Sequence, residues 1–342
     1  MGNISNRLQI KRNEIKQKIS DKKGKIPKIF LLIFLLCVGI FVLLVSNIIL
    51  LCIILLPKPE GVPTVTQVVT DSAIALGISY PVQSADSSAQ YVEPEGETLI
   101  FTDSSGSEHE MTINPNAARH NYDVSAYTIN NNRLSYSDAG YMSRVGIDVS
   151  HHQGKINWKK VAADGIEFAM VRIGFRGYGS GKLCEDRYAA RNIEKAKAAG
   201  LDVGIYFFSQ AVNEEEAREE ARMVIELLKG QTLELPVVYD PESIPDDVAR
   251  TDNVTGEQFT RNSIAFCEEI RAAGYEPMIY SNMMWEAYKL DMGTLKDLPV
   301  WYADYQAIPQ TPYAYTMWQY SENGRVNGVE GGCDMDVQLI PR

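Results

Sequence analysis

The chain has 342 residues and a formal net charge of −11. Its first 28 residues run against that balance with nine Lys and Arg and two acids, so the rest carries 24 Lys and Arg against 42 Asp and Glu. So acidic a surface excludes nucleic acid and anionic lipid as partners for the bulk of the chain.

The basic opening (Arg7, Lys11, Arg12, Lys16, Lys18, Lys22, Lys23, Lys25 and Lys28) leads directly into Ile29 to Leu56, an apolar run broken only by Gly39, Ser46, Asn47 and two cysteines. A helix crosses a bilayer with about 20 such residues. A cleaved signal peptide has an apolar core of only ~7–15 residues and a small-residue cleavage site, whereas this run is longer and ends at Pro57-Lys58-Pro59. The pattern predicts a cytoplasmic segment at 1–28 and a single uncleaved transmembrane anchor at 29–56. Basic flanks stay inside, so everything after the anchor is expected outside.

Residues 57–144 turn to Pro, Ser, Thr, Gly and acids. They predict an extracellular stalk with a small β-like element near 90–135, where Thr98 to Thr102 reads as a strand and Gly106 and Asn114-Pro115 as turns. Cys37 and Cys52 lie in the anchor, which leaves Cys184, Cys267 and Cys333 outside. Three thiols allow at most one pair, and buried or free thiols are the expectation. Their wide spacing gives no zinc pattern. The adjacent His151 and His152 would point to opposite sides of an extended segment, so they are expected to support structure or touch substrate, not to chelate a metal. No metal or cofactor is expected.

From Gly146 onward a rhythm sets in. Helix-like segments end at Gly165, Gly200, Gly230 and Gly274, each followed within a few residues by an apolar strand-like run. Glycine just past a helix is the favoured left-handed cap. Asn213 with Glu216, and Thr255 with Gln258, match capping boxes, and Ala217, Ala221, Val224, Ile225 and Leu228 form one apolar helix face. The acid-rich stretch Glu214 to Glu220 reads as a solvated helix opening. Four such units predict βα crossovers and a parallel sheet. Adding Val145 to Val149 at the start and three later runs, at Val300, Thr316 and Asp334, gives eight strands, enough to close a small barrel. The last three have only loops between them.

A βα barrel carries its site at the carboxyl rim. The strand ends there are Asp148, Arg172, Tyr206, Asp240 with Glu242, Tyr280, Trp301, Gln319 and Asp334. Aromatic rings around carboxylates suit a carbohydrate. Phosphate loops and a G-x-S-x-G elbow are absent. At Leu235-Pro-Val-Val-Tyr-Asp-Pro-Glu242, Asp240 and Glu242 share one face of a strand with Pro241 turned away. Two carboxyls held together push their pKa values apart, so one keeps a proton while the other is ionised. Splitting a glycosidic bond asks for that pair.

Five separated motifs carry a resemblance over residues 145–342: Gly146-Ile-Asp-Val-Ser-His-His-Gln-Gly154, Asp240-Pro-Glu242, Trp301-Tyr-Ala-Asp-Tyr305, Trp318-Gln-Tyr-Ser321 and Gly331-Gly-Cys-Asp-Met-Asp336. In that order they resemble the lysozymes of glycoside hydrolase family 25. The resemblance implies an α/β fold, an irregular (β/α)5(β)3 TIM-like barrel here preceded by the anchor and stalk. It also implies cleavage of the β-1,4 bond between N-acetylmuramic acid and N-acetylglucosamine in peptidoglycan. Glu242 would be the general acid. Asp240 would orient the substrate's 2-acetamido group as it attacks the anomeric carbon. Asp148 and Asp334 would complete the acidic cluster, with Asp336 the alternative fourth acid, and Tyr206, Tyr280, Trp301, Gln319 and Arg172 would bind substrate. Together with the anchor this predicts a single-pass protein of a bacterial cell membrane that remodels the cell's own wall, its partner being peptidoglycan glycan strands. The competing expectation is a weak or silent glycan-binding wall scaffold.

Overall fold

The structure, a computed structural model, describes residues 96–131, 133–245 and 247–342. The basic segment 1–28, the anchor at 29–56 and the stalk up to residue 95 lie outside the described residues. Among the described residues no helix is long and apolar enough to cross a membrane.

Two hairpins come first: β1 (Thr98–Thr102) with β2 (Glu108–Thr112), then β3 (Tyr127–Asn130) with β4 (Arg133–Tyr136). Eight longer-range strands follow and close on one another: β5 (Tyr141–Val149), β6 (Phe168–Arg176), β8 (Asp202–Ser209), β9 (Val237–Pro241), β10 (Pro277–Asn282), β11 (Val300–Ala303), β12 (Met317–Gly324) and β13 (Cys333–Pro341). The short β7 (Leu183–Glu185) adds to the outer side of β6. Helices α1 (Trp158–Ala163), α2 (Ala189–Ala198), α3 (Glu214–Leu228), α4 (Gly256–Ala272) and α5 (Met283–Tyr288) follow β5, β7, β8, β9 and β10. No helix is found among the described residues after β11 or β12.

The parallel sheet predicted from the βα units does not extend to the last strand. Strands β5, β6, β8, β9, β10, β11 and β12 run parallel around the barrel, but β13 is antiparallel to both β12 and β5. The link between β12 and β13 is a short helix-free turn, and a short turn can only reverse the chain. The start of β13, not its end, therefore lies at the carboxyl rim.

Alternation along the strands divides the apolar residues into two cores. Inside the barrel lie Phe168, Met170, Val238, Met278 and Met317. Outside, Val237, Tyr239, Ile205 and Phe207 meet the helices at Val224, Phe266 and Ile270. Two glycines make the inner layer possible. A Cβ on Gly146 would sit 2.2 Å from the Phe168 ring, and one on Gly204 would sit 2.6 Å from the Met170 sulfur.

The predicted glycine stops are present: Gly165, Gly200, Gly230 and Gly274 all take positive φ. The capping boxes form only their first half. Asn213 and Thr255 accept the Glu216 and Gln258 backbone N–H, but the Glu216 carboxylate is drawn to Arg250 and the Gln258 amide donates to Asn262.

Residues 96–144 pack on the barrel, with Phe101, Met111, Leu134 and Tyr136 buried in the same core as its outer face. Gln310 clamps β1 by accepting the Thr102 N–H at 2.8 Å and donating to the Thr102 carbonyl at 2.9 Å. Tyr122 donates to the Tyr315 carbonyl at 2.6 Å, and Tyr127 packs edge-on against Trp318 at 5.1 Å. The second hairpin thus lies against β12, on the side where the barrel lacks helices.

Candidate active site

All nine predicted site residues line one cavity of about 890 Å³ at the carboxyl rim. Each sits at an inward position of its strand or just past its end. Asp148 is paired across the sheet with Asp334, Arg172 with Tyr206, and Tyr280 with Trp301. Glu242 follows the last residue of β9 and is half-buried, while Asp240 is buried. Seven carboxylic side chains line the cavity, namely Asp103, Asp148, Asp240, Glu242, Asp304, Glu322 and Asp334, against the one guanidinium of Arg172.

This crowding governs the protons. Burial pushes Asp240 well above the ordinary carboxylate range, and the negative charges of Glu242 and Asp148 push it further. Burial also raises Glu242, while Asp240 and Arg172 pull it back. Facing each other, the two titrate as a pair. Asp148 is raised well above its usual value by burial, then by Asp336 and Glu242. Asp334 is pushed up to about 8 by burial, then by Asp148, Glu322 and Glu242. Burial and crowding therefore favour the protonated form of these carboxyls, an arrangement suited to donating a proton.

Gln319 bridges two of these acids. Its Nε2 donates to Asp148 at 2.8 Å and to Asp334 at 3.4 Å, while its Oε1 accepts from Tyr280 at 3.2 Å and from Tyr305 at 2.8 Å. Trp301 stands edge-on between Tyr206 and Tyr280, with centroids 5.7 and 5.2 Å away. It is only 1% exposed, so it forms the floor and offers little ring face. Tyr305, 44% exposed at the lip, has the open ring. Arg172 is not free to clamp a ligand: its Nε and Nη2 donate to Asp186 at 3.1 and 3.0 Å, and Nη2 also donates to His151 Nδ1 at 2.5 Å. It acts on the Asp240 and Glu242 pair through its charge.

Sequence reasoning missed two members, Tyr305 and Asp186, and held Asp336 only as the alternative to Asp334. Asp336 lies one alternation deeper on β13, fully buried, and accepts from Trp301 Nε1 at 2.9 Å; its two-residue spacing from Asp334 was the signal. Tyr305 closes the motif that begins at Trp301. Asp186 carried no signal. The two histidines differ from expectation. Residues 151–153 form a 3-10 turn capped by Ser150, which brings the rings to 4.1 Å instead of opposing them. Among the described residues no group of His, Cys, Asp and Glu is arranged to hold a metal, and Cys184, Cys267 and Cys333 are free thiols.

The family model "Glycosyl hydrolases family 25" matches residues 147–329. The chain is 27% identical over 192 residues to the autolytic lysozyme of Clostridium acetobutylicum, covering 56% of this chain and 54% of that protein. It is 28% identical over 200 residues to Lysozyme M1 of Streptomyces globisporus, covering 55% of this chain and 65% of that one. The match thus spans about half to two thirds of these relatives. Among solved structures, the modular autolysin LytC from Streptococcus pneumoniae superposes with a TM-score of 0.51 at 23% identity, over 70% of this chain and 56% of LytC, a likeness of fold.

Proposed function

The chain belongs to glycosyl hydrolase family 25, and on that premise we propose that it is a muramidase, hydrolysing the β-1,4 bond between N-acetylmuramic acid and N-acetylglucosamine in peptidoglycan. The observation that carries this reading is the Asp240 and Glu242 pair at the mouth of β9, both raised by burial in a cavity of acids. Glu242 projects beyond the strand into the cavity and delivers its proton to the glycosidic oxygen as the C–O bond breaks. The substrate's 2-acetamido oxygen bonds to the anomeric carbon in its place, while Asp240 accepts the acetamido N–H and holds it in line. Glu242, now a carboxylate, takes a proton from the water that opens this intermediate. Asp148 and Asp334 lie beside this pair, joined through Gln319, and burial in this crowded mouth favours a proton on Glu242 beforehand.

The finer description of the fold, five βα units followed by three strands, is supported by the order of helices and strands given above. The anchor, the outward orientation and a role in remodelling the cell's own wall are supported by the basic segment followed by the apolar run at 29–56.

The test uses the full chain, wild type beside Glu242→Gln, on purified peptidoglycan, with borohydride reduction and mass analysis of the products. Reduced muramic-acid ends from the wild type and none from the variant support the assignment. No release by either, with both still sedimenting with the wall material, makes a glycan-binding scaffold the better account.

A further inference from the structure

A second cavity, of about 1020 Å³, adjoins the first: Tyr305 and Gln306 line both. One wall is the hairpin of β3 and β4, through Ile129, Asn130 and Arg133; the other is the end of β12 and the turn to β13, through Asn323, Arg325 and Asn327. The hairpin wall precedes residue 147, where the family match begins. The floor is fixed. Asp164 accepts from Arg133 Nη2 at 2.7 Å and from Asn327 Nδ2 at 2.5 Å, which ties the hairpin, α1 and the turn together.

The two cavities have opposite electrical character. The first is lined by seven carboxyls and one guanidinium. In the second the only acid is Asp164, against Arg133 and Arg325, with amides between them. Arg133 is neutralised by Asp164, and Arg325 has no carboxylate partner in the lining. An anionic group arriving with a sugar is repelled from the first cavity and attracted to the second. In peptidoglycan the sugars are neutral apart from what the lactyl group carries, and the negative charge lies on the carboxylates of the attached peptide. We propose, resting on the muramidase reading, that the cavity beyond Tyr305 seats the peptide stem of the substrate, with Arg325 pairing to a stem carboxylate and the open Tyr305 ring guiding the sugar at the junction. The enzyme then selects peptide-bearing strands over stripped ones.

The test measures binding by calorimetry in the full-length chain carrying Glu242→Gln, so that the ligand survives. Three synthetic tetrasaccharides of alternating N-acetylglucosamine and N-acetylmuramic acid are compared: one with the stem tetrapeptide, one with its carboxyls amidated, and one with the lactyl group capped as a methylamide. A charge-assisted contact predicts about tenfold tighter binding of the first over the other two. Arg325→Ala on the same background brings the three affinities together, and Arg325→Lys keeps most of the difference. Equal affinities in the parent, or a preference that survives Arg325→Ala, overturn the assignment of the stem. If none of the three tetrasaccharides binds the parent, the muramidase reading falls with it.

Discussion

Replacing Asp334 by Asn removes one titrating group from the most crowded part of the acidic mouth while keeping the side chain's size. Asp334 is pushed from an ordinary 3.8 up to about 8, chiefly by burial and then by Asp148, Glu322 and Glu242. The folded state therefore holds a proton that the unfolded chain gives up near pH 4. The stability that goes with that proton is present below the unfolded value and is lost as pH rises toward the folded one. A shift of about four units at ~1.36 kcal/mol each sets a ceiling of ~6 kcal/mol. Water reaches this half-buried group, so screening reduces the figure, and we expect ~2 kcal/mol. Urea unfolding of wild type and Asp334→Asn at about pH 3, below the unfolded value, and at about pH 9 reads the difference directly. The variant should match the wild type at the acid end, exceed it by that amount at the alkaline end, and lose most of its turnover. Identical pH dependence in the two proteins, or a variant less stable at alkaline pH, would refute the view that the mouth stores repulsion.

Two further outcomes follow from the packing around the site. Gln310→Ala removes both hydrogen bonds that pin Thr102 and should cost ~1–2 kcal/mol, with faster amide exchange confined largely to 98–112; unchanged exchange there would show that the clamp does not hold the hairpin. Cys267 and Cys333 are buried, their thiols pushed up to about 12, whereas Cys184 is half-buried. Iodoacetamide with peptide mapping should label Cys184 first among the three, and the other two only after denaturation.

What could be read from the sequence was whatever repeats locally. Period-two alternation fixes which strand residues face inward, so Asp148, Tyr206, Asp240 and Gln319 were legible one strand at a time, and glycine caps marked the helix ends. Strand direction is not a local property. Nothing in Cys333 to Pro341 says that it runs backwards; only the shortness of the preceding turn does. The hairpins were invisible as parts of the barrel because their contacts join residues some two hundred positions apart, as Thr102 does with Gln310. Glu220 failed for a related reason. In an acid-rich helix opening it reads as solvated, yet it is fully buried, accepting from Arg176 at 2.7 Å and from Ser209 at 2.6 Å. Its partners lie on β6 and β8, and the Ser209 hydroxyl, whose one proton goes to Glu220, accepts from Tyr239 at 2.9 Å, one residue before Asp240.

The reversed strand β13 also sets a clock. It is the last of the eight strands to leave the ribosome, and β5, the first, pairs with it along eight residues from Asp148 to Tyr141. Until β13 arrives, β5 and β12 each present a bare edge, and the rim lacks Asp334 and Asp336. A nascent chain can stack helices on a growing sheet, but it cannot own a complete set of acids. The complete acidic rim is thereby withheld until synthesis of the whole barrel is finished.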